Sequence, residues 1–486
     1  MLVLDEPFDV WKAHKVKFDY GSDFDEWWKQ DVSSMVLRDR NHPSIVIWGI
    51  GNEIPELEVD NGAALGKLIA DQVRTLDNTR PLTLAFPGTM TKPTAQAVFS
   101  QLDIAGYNYN ILPTYQKDHE QLPSRMMLTT ESWPAKAFPL WKISRDNPYV
   151  LGDLTWTAMD YLGESGIGAW QYGTPQQAKM AEGMAGMMSG TAMIDQMSTG
   201  MANGKDMMTD MAKNTSDPNA KAMMELFFHP YPWHAAVCGD LDLTGFRKPQ
   251  SYYRDIIWNG GDRVYATVRL PEPEGKKIIA IMWATYPTLH SWSWPGQEGK
   301  QLDVEVYSGA EKVQLFLNNK LFGEKPTGRE QEFKAVFSVP YAPGTLKAVG
   351  LRGGRVVAEN VLTTAGEPVR LQVTADRTVV EANGEDLSFV SVEAVDAHGQ
   401  PDLHADQEVQ FEINGPGAIA AVGNGDGQDA DSYNGDRRKF YQGRALVVIR
   451  TSRQTGLIKL TVKSSGFSDG SLTIRAKAPQ QGAELQ

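Results

Sequence analysis

Residues 44–53 read Ser-Ile-Val-Ile-Trp-Gly-Ile-Gly-Asn-Glu: an apolar run through Ile50, then Gly51, Asn52 and Glu53. A continuous apolar run of this length, rich in β-branched residues, fits a strand covered on both faces, as in a parallel sheet. Working outward, Leu2–Leu4, Pro81–Phe86, Leu102–Tyr107, Met126–Thr130 and Leu151–Trp156 read as further strands. Helical periodicity covers 24–38 and 61–77 between them. Strands alternating with helices predict βα units around a parallel sheet over residues 1–262.

The pattern changes after the turn cluster Asn259-Gly260-Gly261-Asp262. From 263 to 366 the strands are short and alternating, as in Lys312–Asn318, and Pro and Gly turns recur between them. A similar run occupies 367–477 after Gly366-Glu367-Pro368, and both predict antiparallel, immunoglobulin-like β-sandwiches. The tail 478–486 reads as disordered. Residues 180–224 hold 12 of the 19 methionines. They predict a helical insertion, about 178–226, packed through adaptable thioethers, or else a lid or self-association surface.

Composition excludes several function classes. Hydrophobic residues make up 41% and charged residues 22%, which argues against wholesale disorder. The net charge of −13 repels phosphate backbones and anionic headgroups, so neither nucleic acid nor membrane is expected as a partner. No run of about 18 apolar residues predicts a membrane span. Cys238 is the single cysteine, which rules out an intrachain disulfide and a cysteine-based zinc cluster. Met1-Leu2-Val3-Leu4 runs directly into Asp5-Glu6, so no signal peptide is expected. Thirteen Trp and 16 Tyr suit a protein that stacks on flat apolar faces, sugars included, although Trp also fills ordinary cores.

Glu53 and Glu131 each follow a predicted strand. Residues just past the strands of a (β/α)8 barrel ring one face, so two carboxylates on different strands can converge there. Glycosidic cleavage needs such a pair, one protonated to donate to the leaving oxygen and one ionised to attack or stabilise an oxocarbenium-like carbon. A strand-end Glu that caps a helix or pairs with Arg is the competing reading of either residue alone.

The surrounding strings decide between these readings. MLVLDEPF (1–8), LRDRNHPSIVIWGIGNE (37–53), DIAGYNYN (103–110), TTES (129–132) and LTWTAMDYLGE (154–164) resemble glycoside hydrolase family 2. The block CGDLDLTGFRKPQSYYRDIIW (238–258) resembles its β-galactosidase-like branch with extra C-terminal β-domains. The resemblance implies that Glu53 is the acid/base, Glu131 the nucleophile and Asn52 the ligand of the sugar 2-hydroxyl. It implies that Tyr109 hydrogen-bonds the nucleophile and that Trp156 floors the sugar subsite. Trp133 is expected on the aglycone side, and Asp5 is expected either to reach a sugar hydroxyl or to close its strand. Arg38 and Asp39 are expected to form a structural ion pair, with Arg38 alternatively tuning Glu131.

No cofactor is expected. Metal-dependent relatives show Glu-x-His after the Asp-Glu pair, where this chain has Asp9-Val10-Trp11, so no essential metal is predicted either. Asn424–Asp436 lacks the spacing and terminal Glu of an EF-hand and reads as a solvated β-loop.

The implied fold is a partial (β/α)8 barrel followed by the two sandwiches. Met1 falls within what resembles the third barrel strand, so two strands and the preceding domains are expected to be missing, leaving open edges prone to self-association. The implied activity is that of a retaining exo-β-glycosidase acting on a glycan with a terminal β-linked sugar, most simply a β-galactoside. Glucuronide and mannoside specificities remain alternatives, as does a non-catalytic carbohydrate-binding or assembly module. The resemblance implies a periplasmic or extracellular parent.

Overall fold

The computed structural model describes residues 2–58, 61–88, 92–110, 112–188, 229, 231–280 and 282–479. The expectation of a Met-rich insertion falls largely on residues 189–228, outside the described residues, as does the end of the tail.

Six strands form one parallel sheet: β1 (Val3–Asp5), β2 (Ile45–Asn52), β3 (Leu82–Phe86), β4 (Ile104–Asn108), β5 (Met126–Ser132) and β6 (Val150–Thr155). Their spatial order is their sequence order, with β1 and β6 at the edges among the described residues. All six expected strands are present, and with the helices they make a partial TIM barrel.

The helices are α1 (Phe24–Asp39), α2 (Gly62–Leu76), α3 (Pro93–Phe99), α4 (Leu112–Gln121) and α5 (Ala137–Asp146). Helix α1 carries Asp25 and Glu26 in its first turn and Arg38 in its last, the charge order that the helix dipole favours. Its buried residues Val32, Met35 and Val36 recur at helical spacing and join the core of α2 (Ile69, Ala70, Val73) and β2 (Trp48, Ile50). Trp11 is fully buried in that core and donates its indole N–H to the Ile50 carbonyl at 2.8 Å. Covering β2 in this way is why its sequence can be apolar without alternation.

The chain packs as two compact units, and they are not separated by one cut at 262. Residues 274–285 belong to the first unit, because strand Lys277–Ala280 pairs antiparallel with Trp170–Gly173. Residues 158–169 and 229–273 group instead with the sandwiches. Strand patterning could not reveal this exchange, since a short apolar strand reads the same whichever partner it takes.

The second unit contains two sandwiches. In the first, Val264–Arg269, Gln301–Ser308 and Lys334–Pro340 belong to one sheet, and Lys312–Leu317, Thr345–Arg352 and Arg355–Thr363 to the other. Val304 and Val306 of one sheet meet Leu315, Leu346 and Ala348 of the other around Trp292. The second sandwich buries Val390, Val392, Val447 and Ile449 against Phe411, Leu460, Val462 and Ile474.

Within it, the acidic loop Asn424–Asp436 is organised by an internal cation. The Arg438 side chain is fully buried, and its Nε lies 3.0 Å from Asp429 Oδ2. Its Nη1 donates to the Asp431 carbonyl at 2.8 Å, while Asn424 donates to Asp429 at 2.7 Å. Arg438→Ala would leave Asp429 uncompensated and the loop carbonyls without their donor. It is expected to destabilise the second unit by about 3–5 kcal/mol in denaturant unfolding. Added calcium is expected not to restore the loss; restoration would mean that the loop is a cation site.

Candidate active site

The parallel register brings the C-terminal ends of the strands to one level. Asn52 of β2 pairs with Ala85 of β3, Phe86 with Tyr107 of β4, Asn108 with Glu131 of β5, and Ser132 with Thr155 of β6. Backbone hydrogen bonds continue the ladder past the strands: Glu53 N–H donates to the Ala85 carbonyl at 2.8 Å, and Tyr109 N–H to that of Glu131 at 2.8 Å. Trp156 N–H donates to the Ser132 carbonyl at 3.0 Å. Glu53 and Tyr109 both take left-handed backbone conformations, with φ of 49° and 56°. Non-glycine residues resist that region at a cost of about 1–3 kcal/mol, and these ladder bonds hold them there.

The side chains form two linked networks. Asn108 is fully buried and donates to Asn52 Oδ1 at 2.8 Å and to Glu53 Oε1 at 2.9 Å. Its own oxygen accepts from the Thr130 hydroxyl at 2.7 Å, which fixes the orientation of the amide. Asn52 donates to Asp9 at 3.2 Å, and Lys15 donates to Asp9 at 2.9 Å and to the Asn52 carbonyl at 3.0 Å.

On the other side, the Tyr109 phenol is hydrogen-bonded to Glu131. Its ring lies 5.0 Å from Trp133 and 5.7 Å from Trp283, and Trp283 lies 5.8 Å from Trp156. Four aromatic rings, Tyr109, Trp133, Trp156 and Trp283, thus form one cluster beside Glu131. Trp133 is buried, and its indole nitrogen has no hydrogen-bond partner among the described residues.

The carboxyl groups respond to this crowding. Burial pushes Glu53 up, while the Asn108 hydrogen bond and Lys15 pull it down. Glu131 is pushed up to about 8, first by burial and then by the charge on Glu53; the Tyr109 hydrogen bond opposes the rise but does not cancel it. The phenol therefore acts in the expected direction and is outweighed. A carboxyl beside a second carboxylate holds its proton to higher pH, as Glu131 does beside Glu53.

Asn52, Glu53, Tyr109, Glu131, Trp133 and Trp156 are thus gathered at one end of the sheet. Asp5 is not among them. It lies against Asp39, which Arg38 holds through paired contacts of 2.9 Å, and it is pushed up by burial and then by Asp39. Strand side chains alternate between faces, so the following residue, Glu6, occupies the cleft instead.

A Cβ on Gly49 would stand 2.5 Å from Glu6 Oε2, so the bare backbone of β2 makes room for this third carboxyl. Glu6 is pushed up to about 8 by burial, then by the charges on Glu131 and Asp9. Glu6 was legible as the second half of the Asp5-Glu6 pair, and alternation along the strand was the signal that separates them. Trp283 and Lys15 had no such signal, because both reach the site from loops.

Family models match the chain in three places. The family 2 glycosyl hydrolase TIM barrel domain matches residues 9–132, a domain of unknown function 299–358, and glycoside hydrolase family 2 C-terminal domain 5 residues 371–473. The barrel sheet and the converging carboxyls define a glycosidase-type scaffold. The chain belongs to glycoside hydrolase family 2.

It is 27% identical to β-galactosidase BoGH2A of Bacteroides ovatus over 98% of this chain and 54% of that protein. It is 31% identical to a β-glucuronidase of Formosa agariphila over 43% of this chain and 21% of that one. Among solved structures, a glycosyl hydrolase family 2 member from Bacteroides cellulosilyticus superposes with a TM-score of 0.81 at 33% identity, covering 98% of this chain and 55% of that one. The chain spans about half the length of these full-coverage relatives.

Glu6 supplies a test that needs no substrate. Its carboxyl holds a proton to about pH 8 when folded but releases it near 4.5 when unfolded. The folded state therefore binds the extra proton between those values, and this contribution to stability is lost as pH rises through the folded pKa. Glu6→Gln keeps the shape and removes the titration. Calorimetry is expected to show its first-unit transition raised by roughly 10 °C at about pH 8 and little changed at about pH 4.5. A shift of equal size at both pH values would mean that the carboxyl is not titrating in the cleft.

Proposed function

We propose that the chain carries the catalytic apparatus of a retaining exo-β-glycosidase, with Glu131 as nucleophile and Glu53 as acid/base. The observation that carries this reading is the placing of Glu53 and Glu131 at the C-terminal ends of strands in one sheet, each with its own donor, Asn108 and Tyr109. In the first step Glu131 attacks the anomeric carbon while Glu53 protonates the departing oxygen. In the second, Glu53 takes a proton from water, which displaces Glu131 from the glycosyl-enzyme. Trp156 and its neighbouring rings offer apolar faces for a sugar, and Asn52 offers an amide for a ring hydroxyl.

The substrate we favour is a terminal β-galactoside on an oligosaccharide or glycan. Glu6, Asp9, Glu53 and Glu131 crowd the cleft with acidic groups, and Lys15, the cation that acts on Glu6, Glu53 and Glu131, is already paired with Asp9. A sugar carboxylate would have to compete with Asp9 for that cation. A glucuronide is the second reading, favoured by Lys15 and by the β-glucuronidase relative. Parallel assays with aryl β-galactoside and aryl β-glucuronide separate the two; faster turnover of the glucuronide would overturn the preference.

The roles of the carboxyls are tested by rescue. Glu131→Gly is expected to lower turnover by at least ~10³-fold, with azide restoring it and yielding the inverted glycosyl azide. Glu53→Ala is expected to spare substrates with activated leaving groups and to give the azide with retained configuration. NMR of the products reads the anomers, and the opposite pattern would reverse the assignment.

A further inference from the structure

Trp283 lies outside the three segments matched by family models and follows the strand Lys277–Ala280. It is half-buried, and the preceding Met282 takes a left-handed conformation with φ of 52°. Its Nε1 lies 3.1 Å from the Tyr109 hydroxyl, and the two rings meet edge to face at 88°. The same indole touches Trp156 at 5.8 Å between centroids.

The chemistry of these groups fixes a direction. An indole N–H only donates, so in this contact the Tyr109 oxygen is the acceptor. A phenol has one proton, and with one lone pair engaged by Trp283 that proton is left for Glu131. The proton remains in place at working pH, because burial and the Glu131 charge raise Tyr109 well above its ordinary value. Accepting a hydrogen bond also polarises the phenol O–H and strengthens its donation. Without the indole, the hydroxyl can rotate and accept from water or another donor.

We propose that Trp283 is a positioning residue, which acts through Tyr109 by aiming the phenol proton at Glu131 and so favours the ionised nucleophile. The proposal rests on the reading of Glu131 as nucleophile only for its kinetic consequence; the hydrogen-bond relay can be measured without turnover.

The experiment uses the full chain with carboxyl-labelled glutamate, Glu131 being assigned by Glu131→Gln. Trp283→Phe keeps a ring and deletes the donor. It is expected to raise the Glu131 titration by about 0.5–1 pH unit, the size of one net hydrogen bond. In a Tyr109→Phe background, where the relay is already cut, Trp283→Phe is expected to add no shift. Trp283→His, which retains a ring N–H, is expected to recover part of the wild-type value.

In active protein the acidic limb of kcat/KM should move to higher pH by the same amount, because Glu131 must be ionised to attack. An unchanged Glu131 titration in folded Trp283→Phe overturns the proposal. So does an equal shift in the Tyr109→Phe background, which would mean a general structural effect.

If Trp283→Phe fails to fold, the wild-type chain decides. The indole ¹⁵N–¹H resonance of Trp283 should track the Glu131 titration, and Tyr109→Phe should abolish that dependence. A Trp283 resonance indifferent to the Glu131 titration overturns the relay. Loss of glycoside hydrolysis with the titration coupling intact would instead overturn the glycosidase reading and leave the relay standing.

Discussion

The parallel register of β2, β4 and β5 is the constraint on which the site depends. Side chains alternate along a strand, so a slip of one residue would turn Asn108 away from Asn52 and Glu53. The pairing of Asn108 with Glu131 and of Asn52 with Ala85 excludes that slip. What holds the register is apolar cover rather than the site itself. Trp48, Ile50, Leu84 and Tyr107 are buried against helices whose apolar residues recur at helical spacing. The core therefore sets the positions, and the polar groups at the strand ends inherit them.

Those inherited positions carry an electrostatic cost. Glu6, Glu53 and Glu131 are all raised, in each case by burial first, and neighbouring carboxylates add to it. The surroundings offset this only in part. Asn108 donates to Glu53 and Tyr109 to Glu131, so each carboxyl has a separate donor and a distinct environment. Distinct environments are what allow chemically equal groups to take unequal roles. A fully compensated pair would have ordinary acidities and no reason to hold a proton at neutral pH.

Much of this was legible in the sequence. The apolar run at 44–50 announces a covered strand, and the six strand assignments follow from runs of the same kind. Glu53, Tyr109 and Trp156 sit immediately past strands and Glu131 next to last on β5, at the ends where a barrel presents its functional face. The readings that differ share a physical origin. Asp5 has two readings in the sequence, reaching a sugar hydroxyl or closing its strand, because an Asp-Glu pair at a strand end offers two candidates; Glu6 is the one that packs against the bare backbone of Gly49. Trp283 is distant in sequence and enters through a strand pairing with Trp170–Gly173 that no local periodicity encodes. The exchange of segments between the two units is hidden for the same reason: non-local pairing leaves no period.

Lys15 shows how a loop can serve the site as firmly as a strand. Glu56 accepts the backbone N–H groups of Lys12 at 2.9 Å and Ala13 at 2.6 Å, and Asp19 accepts those of Lys15 at 2.7 Å and Val16 at 2.9 Å. The loop is thereby fastened on both sides of Lys15, whose ammonium bridges Asp9 and the Asn52 carbonyl. One fixed cation then lowers Glu6, Glu53 and Glu131 together, without matching their number. Glu6 and Glu131 nonetheless stay up at about 8, so burial outweighs the one cation. Under the proposed mechanism positive charge develops on a sugar carbon, and polar groups already fixed in place need not reorganise as that charge appears. In the proposed mechanism, the separate donors, Asn108 on Glu53 and Tyr109 on Glu131, are what set the proton giver and the attacking group apart.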